Sequence, residues 1–273
     1  MPKPRARKLF NLMVISNHVQ EINSFLDGGV NRIFIDLELI GKSKRQNRSS
    51  SWISHHTIED LVRVRAEFPD VEIIVRTNPI GSWSRAEYEL IMHSKPDFIM
   101  LPMFSGESQV RFAAELIDGR ARFIPLVETV SALKYVANLT ERPCGVDELF
   151  FGLNDLHLEL GLSFMFEVLL KKEFVYAAQN AGQIGPFGFG GIGPLDLGVL
   201  RGRDVLAMHA EFGSTCAIVS RSFRHLVDPR SFESEIRAIK EKYSEFVENR
   251  MILRQLAEDA RENIRVVSQG LKK

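Results

Sequence analysis

The sequence predicts an α/β protein folded as a (β/α)8 TIM barrel with an additional C-terminal helix. Two observations predict it. Eight short aliphatic runs alternate with charged segments of helical period, the sequence form of βα units. The ends of successive runs stand 21 to 40 residues apart in a chain of 273 residues, and eight units of similar size in about 250 residues match the arithmetic of a barrel. An open doubly wound sheet is the competing arrangement, because strand count by itself does not show closure.

In order, the runs cover residues 9–17 (LFNLMVISN), 32–38 (RIFIDLE), 72–78 (EIIVRTN), 98–104 (FIMLPMF), 122–129 (RFIPLVET), 148–155 (ELFFGLND), 186–193 (PFGFGGIG) and 216–223 (CAIVSRSF). They are nearly continuously apolar, as strands covered on both faces must be. Helices are predicted between them over 20–26, 57–68, 85–93, 106–117, 131–139, 164–180, 203–212 and 231–246. Thr57 with Asp60 three residues on reads as a capping box, and Ala181-Gly182 as a helix C-cap. Two stretches exceed the repeat. Residues 39–56 form a polar loop with Lys42, Lys44, Arg45 and Arg48, at the strand end where barrels carry function, although a solvated loop is the commoner role of such charges. Residues 249–273 form a ninth helix with Ile252, Leu256, Ala260, Ile264, Val267 and Leu271 at steps of three or four. That stripe must cover its own barrel or a neighbour's. The division is therefore a barrel over 1–248 and a helix over 249–273, with exchange of that helix in a homo-oligomer as the expectation.

Hydrophobic residues make up 45% and charged residues 26%, an ordinary globular composition. Lys plus Arg equals Asp plus Glu at 35 each, so no global field favours nucleic acid or an anionic membrane surface. A small, locally recognised ligand is expected. The two cysteines, Cys144 and Cys216, have neither zinc nor disulfide spacing, which fits a reducing compartment. The basic start resembles a signal n-region, but the apolar run after it breaks at Asn11. No run approaches the ~20 apolar residues of a membrane span, so a cytoplasmic location is expected.

In a barrel the loops after the strands build the site. The polar residues at those ends are Asp36 and Glu38, Arg76 and Asn78, Glu128, and Asn154 and Asp155. Carboxylates gathered at one mouth need cations, hydrogen bonds or a metal, and Arg76 is the only cation at these ends before the eighth strand. Glu128 and Asp155 are one βα unit apart, which predicts equivalent heights on neighbouring strands. Two protein oxygens with open positions suit Mg2+ or Mn2+. Acids that cap the following helices or pair with Arg76 fit the same positions.

The ordered set Phe34-Ile-Asp-Leu-Glu38, Val75-Arg-Thr-Asn78, Asp97-Phe-Ile-Met-Leu-Pro-Met103, Pro125-Leu-Val-Glu-Thr129 and Phe151-Gly-Leu-Asn-Asp-Leu156 resembles the metal-dependent 2-keto-acid (class II) aldolases and citrate lyase beta subunits of the phosphoenolpyruvate/pyruvate barrel superfamily. The resemblance covers about residues 30–160. It implies that Glu128 and Asp155 are metal ligands, that Arg76 faces the substrate carbonyl oxygen, and that the backbone of Gly152, Leu153 and Asn154 holds a substrate carboxylate. A divalent ion and a guanidinium directed at a developing enolate oxygen stabilise charge where it forms, and no Schiff-base lysine is needed.

The chain also departs from that family. Where the keto-acid branch has a proton-transferring histidine after the second strand, this chain has Leu39. His55 and His56 end the long loop and are alternatives for that role, although adjacent histidines on a polar loop are usually solvent-exposed. The thioester branch has an Asp at the same position and a Lys after the proline of the fourth strand; here these are Leu39 and Met103. Gly188-Phe-Gly-Gly-Ile-Gly193 matches GxGxxG only formally, since it lies inside the seventh run and does not open an N-terminal βαβ unit. Glycines there permit close approach of a ligand group or relieve crowding. Arg221 is placed in the eighth strand, facing the mouth or pairing structurally, and His157 on the side of a helix. The expected function is a divalent-metal-dependent carbon-carbon lyase, an aldolase, acting through a metal-bound enolate of a pyruvate-like 2-keto acid with an aldehyde as second substrate. An acyl-CoA lyase of citrate lyase or malyl-CoA type and a non-catalytic ligand-binding homologue are the alternatives.

Overall fold

A computed structural model describes residues 10–41 and 55–271. The expected Lys/Arg loop of Lys42, Lys44, Arg45 and Arg48 lies outside the described residues. Eight parallel strands close into a barrel in sequence order: β1 (Asn11–Ile15), β2 (Arg32–Asp36), β3 (Glu72–Arg76), β4 (Phe98–Leu101), β5 (Arg122–Val127), β6 (Leu149–Phe151), β7 (Phe187–Ile192) and β8 (Cys216–Val219). β8 pairs back onto β1 with Asn11 opposite Cys216, so the open-sheet alternative is excluded. Regular pairing stops two to four residues short of most predicted run ends, because there the chain leaves the sheet to build the mouth.

Period-2 alternation decides which side chains meet. Met13, Phe34, Ile74, Phe98, Met100, Ile124, Leu126, Phe150 and Cys216 fill the barrel interior. Ile33, Ile35, Ile73, Val75, Ile99, Leu101, Phe123 and Val127 point outward beneath the helices. At the N-terminal end Arg32 is almost fully buried. It donates two bonds of 2.7 Å to Glu148 and one of 2.8 Å to Glu72, with its guanidinium 4.3 Å from the Phe98 ring. Arg122 joins Glu72 from the other side. This ionic plug closes the face that in barrels serves stability.

β7 narrows for packing reasons. A Cβ on Gly188 would lie 2.4 Å from the Cys216 carbonyl oxygen, and Gly190 sits at φ +46°. The register against β8 slips between Gly188 and Gly191. The glycine run is thus part of a strand, as expected, and opens no dinucleotide fold.

The helices are α1 (Val19–Asp27), α2 (Ile58–Glu67), α3 (Ser84–Met92), α4 (Glu107–Ile117), α5 (Val130–Ala137), α6 (Leu153–Glu159), α7 (Lys172–Ile184), α8 (Gly202–Phe212), α9 (Ser222–Leu226), α10 (Phe232–Glu248) and α11 (Arg250–Leu271). The capping box of α2 forms: Asp60 N donates to Thr57 Oγ1 (3.2 Å) and Thr57 N to Asp60 Oδ2 (3.0 Å). The helix expected over 164–180 is instead a 3-10 turn, Met165–Leu170, and then α7, parted by extended Lys171. Gly182 does not cap it. α7 runs on to Gly185, and Gly182 is the point where the helix approaches Phe187 of β7, at 3.4 Å from a Cβ placed there. Helices α6 and α9 occupy stretches predicted as strand ends.

The tail helix α11 lies on α8 of its own chain, and Arg261 pairs with Glu211 at 2.5 Å. Its buried face is Leu253, Ala257, Ala260, Ile264 and Ser268. Ile252 and Leu271, taken from sequence as part of the stripe, are exposed. The face is rotated because small Ala257 and Ala260 allow close approach to α8, which presents Ala207 and Ala210 among its buried residues. Among the described residues no helix is long and apolar enough to cross a membrane.

Candidate active site

Alternation carries Asp36 and Arg76 to the mouth as direct Cα partners of β2 and β3. Arg76 grips Asp36 through two bonds, Nε to Oδ1 at 2.9 Å and Nη2 to Oδ2 at 2.8 Å, and its Nε lies 3.5 Å from Glu38 Oε2. Among the described residues Nη1 makes no hydrogen bond. Burial works against the guanidinium charge, but the Asp36, Glu38 and Glu128 carboxylates outweigh it and raise its pKa. Arg76 is therefore a fixed cation with one donor arm left over.

Glu128 follows β5 and is buried, with Oε1 accepting from Met103 N at 2.9 Å. Met103 stands at φ +52°, a left-handed conformation that costs a non-glycine residue free energy and aims this N–H at the carboxylate. The other oxygen rests over Gly152: a Cβ there would be 2.9 Å from Glu128 Oε2 and 2.9 Å from its Cβ. Helix α5 is capped by Thr129, whose Oγ1 accepts from Ala132 N at 3.0 Å, so Glu128 has no capping duty. Burial first, then the Glu38 and Asp155 charges, push the Glu128 carboxyl up to about 8.

Asp155 is not at a strand end. β6 stops at Phe151, Gly152 opens α6, and Asp155 stands in the first turn of that helix, half-buried. The expectation of equal heights on neighbouring strands is corrected: Val127 pairs with Phe151, so Gly152 is the residue level with Glu128. Asp155 reaches the same electrostatic neighbourhood from the helix above. Leu153 and Asn154 precede it in that turn, where backbone N–H groups have no intrahelical partner. His157 lies farther along the same helix, as expected.

The donor set fits a hard divalent cation. Its groups are carboxylate oxygens, and its like charges repel until a cation relieves them. Among the described residues no group of three or more His, Cys, Asp or Glu side chains is placed to hold a metal ion; Glu128 and Asp155 are the two carboxylates that would offer oxygens to one.

Sequence reasoning did not foresee what holds the rim. Asn78 Oδ1 accepts from Leu39 N and Ile40 N, both at 2.8 Å, while its Nδ2 donates to Glu87 Oε1 at 2.6 Å. Asn78 is thus a clamp on the turn after β2. Burial raises the Glu87 carboxyl; an acid in the first turn of the next helix, nine residues after a strand-end Asn, was the available signal. His55 is exposed, whereas His56 is half-buried and its Nδ1 accepts from Asp36 N at 3.1 Å. His56 thus lies at the end of β2, three residues before the position where the motif pattern leads to Leu39, and Leu39 itself is 55% exposed. Arg221 lies beyond the end of β8, at the N-cap of α9, which corrects its placement in the strand.

Among the described residues the mouth of this (β/α)8 barrel gathers the Asp36, Glu38 and Glu128 carboxylates around Arg76. Solved structures share its fold, three of them as follows. One is a HpcH/HpaI aldolase/citrate lyase family protein from Burkholderia cenocepacia J2315, 16% identical, TM-score 0.58, covering 85% of this chain and 95% of that one. RipC from Yersinia pestis is 15% identical with TM-score 0.55, over 86% and 96% of the two chains. A HpcH/HpaI aldolase from Desulfitobacterium hafniense DCB-2 is 15% identical with TM-score 0.53, over 86% and 94%. At such identities the likeness is one of fold. No protein-family model and no curated protein matches the sequence.

Proposed function

We propose that this protein is a divalent-metal-dependent carbon-carbon lyase that forms or cleaves a bond beside the carbonyl of a pyruvate-like 2-keto acid. The observation that carries the reading is the buried Glu128 carboxylate, seated on Gly152 and electrostatically coupled to Glu38, Asp155 and Arg76. The likeness in fold to aldolase and citrate lyase family structures supports it. Glu128 and Asp155 would hold Mg2+ or Mn2+, which when bound supplies Lewis-acid polarisation of a carbonyl oxygen. Arg76, anchored on Asp36, directs its remaining donor to the negative charge that develops during reaction. The N–H groups of Leu153 and Asn154, opened by Gly152, bind the substrate carboxylate. His56 accepts Asp36 N–H at Nδ1, so in its neutral form the ring proton sits on Nε2.

The test is exchange of pyruvate methyl protons in D2O followed by NMR, which reports enolisation without the aldehyde being known. Exchange that requires Mn2+ or Mg2+ and is lost in Glu128→Gln supports the reading; no exchange above the protein-free rate refutes it. We also propose a homo-oligomer, because the tail helix still exposes Met251, Ile252, Val266 and Leu271. Sedimentation at micromolar concentration giving only monomer would reject that.

A further inference from the structure

Glu87 stands half-buried in the first turn of α3, and among the described residues no cation pairs with it. Its Oε2 is buried and, among the described residues, has no hydrogen-bond partner. A buried carboxylate oxygen left unpaired costs free energy, so the acid must return something through its other oxygen. That oxygen serves Asn78.

Glu87 Oε1 accepts twice from Asn78, from the backbone N at 2.9 Å and from Nδ2 at 2.6 Å. Thr77 Oγ1 donates to the Asn78 carbonyl at 3.0 Å, so the backbone is held on both sides of the side chain. With Nδ2 committed to Glu87 and, at 3.4 Å, to the Leu37 carbonyl, Oδ1 faces the turn after β2 and accepts from Leu39 N and Ile40 N. The amide uses all four of its hydrogen-bonding capacities. Turned over, its NH2 would meet two N–H donors and its oxygen would meet a carboxylate.

The turn depends on these bonds. Leu39 and Ile40 are exposed, so apolar burial does not hold them. Four successive N–H groups find acceptors at the ends of β2 and β3: Leu37 N on the Arg76 carbonyl at 3.0 Å, Glu38 N on Asp36 Oδ1 at 3.2 Å, and the last two on Asn78. Glu38 lies in the middle of this ladder, buried, with Oε2 3.5 Å from Arg76 Nε. The path of the turn therefore decides where that carboxylate stands.

We propose that Glu87 is a positioning residue: through Asn78 it fixes the turn after β2 and so sets the Glu38 carboxylate against Arg76. The clamp follows from geometry; its service to the reaction rests on the proposed function, in which Arg76 faces the developing charge. What the clamp needs at Glu87 is an acceptor in the place of Oε1, and a negative charge is not required. Gln meets that need, since its amide oxygen can take both Asn78 donors. Leu has a similar volume and offers no acceptor.

Three signals in the full chain test this: hydrogen exchange of the Leu39 and Ile40 amides, the Arg76 Nε–H resonance in 15N NMR, and pyruvate methyl exchange in D2O with Mn2+. In Glu87→Leu the two turn amides should exchange at least about tenfold faster, while β3 amides keep wild-type protection. The Arg76 resonance should move, and kcat for pyruvate exchange should fall at least about tenfold. Glu87→Gln restores the acceptor and should recover most of each signal. Glu89→Gln, which removes an exposed acid of the same helix, should change none of them. Should Glu87→Leu fold poorly, Asn78→Asp tests the same link by setting a carboxylate opposite Glu87; it should loosen the turn, and adding Glu87→Gln should tighten it again by supplying a donor. Wild-type protection of Leu39 and Ile40 in Glu87→Leu, an unmoved Arg76 resonance, or a Glu87→Gln variant as impaired as Glu87→Leu overturns the proposal. Loosened amides with an undiminished pyruvate rate overturn it too, because the turn would then not serve the site. A wild-type chain that never exchanges pyruvate protons removes the lyase reading, whereas loosened amides and a moved Arg76 signal in Glu87→Leu would still uphold the clamp.

Discussion

Removing Arg76 exposes how the mouth is held together. Arg76 and Asp36 are register partners joined by bonds of 2.8 and 2.9 Å, with side chains 15% and 4% exposed. In Arg76→Met the buried Asp36, Glu38 and Glu128 carboxylates lose the guanidinium that joins them, and breaking a buried pair from one side costs about 3 to 5 kcal/mol. Asp36→Asn should cost less, about 2 kcal/mol, because Arg76 keeps Glu38 at 3.5 Å. In the double variant neither charge is stranded. Its cost should fall short of the sum of the two by about 2 kcal/mol, within the range found for groups in direct contact. Urea unfolding at pH 7 measures the cycle, with unchanged slopes confirming that the same surface unfolds. Additivity within about 0.5 kcal/mol would refute the reasoning. Pyruvate exchange should be lost in Arg76→Met and stay lost in the double variant, which separates the ligand-facing arm from the structural one.

Glu128→Gln and Asp155→Asn should each weaken Mn2+ binding in calorimetry. The raised Glu128 pKa means that the folded chain holds more protons than the unfolded one between about pH 4.5 and 8; stability of the metal-free protein falls as pH rises through that window, and Glu128→Gln should flatten the fall. Gly152→Ala places a methyl 2.9 Å from the Glu128 carboxylate and should cost about 1 to 3 kcal/mol with a loss of Mn2+ affinity; wild-type affinity would show that the carboxylate does not need that space. His209 is buried, stacked 3.7 Å from Phe189, with Nδ1 on Ser214 and Nε2 unpartnered, and burial lowers its pKa from 6.5 to about 3. Below pH 6.5 the unfolded chain takes up a proton that the folded chain refuses. Stability is therefore full above that pH and declines on acidification, by at most about 1.4 kcal/mol per pH unit. His209→Phe should remove this slope in melts between pH 4 and 7, and an unchanged slope would assign the acid sensitivity elsewhere. Deleting 249–273 uncovers the apolar surface of α8 and should lower the melting temperature and promote aggregation, whatever the oligomeric state.

Local periodicities made the eight strands, most helices and the Thr57 capping box legible, because alternation along a strand and the turn of a helix involve neighbours in sequence. For the same reason the mouth-facing positions Asp36, Arg76 and Glu128 could be read off as strand ends. What joins them could not. Asp36 meets Arg76 across 40 residues through the β2–β3 register, and Arg32 finds Glu148 across 116; one slip in register would part them. Asp155 was misplaced because β6 ends after three residues and Gly152 turns the chain into a helix. His56 meets Asp36 across 20 residues, and the buried face of α11 is decided by how closely its alanines approach α8. Hydrophobic pattern names the elements and the side that each buries; closure of the barrel decides which distant side chains become neighbours, since that depends on register and helix contact that no local stretch of sequence encodes.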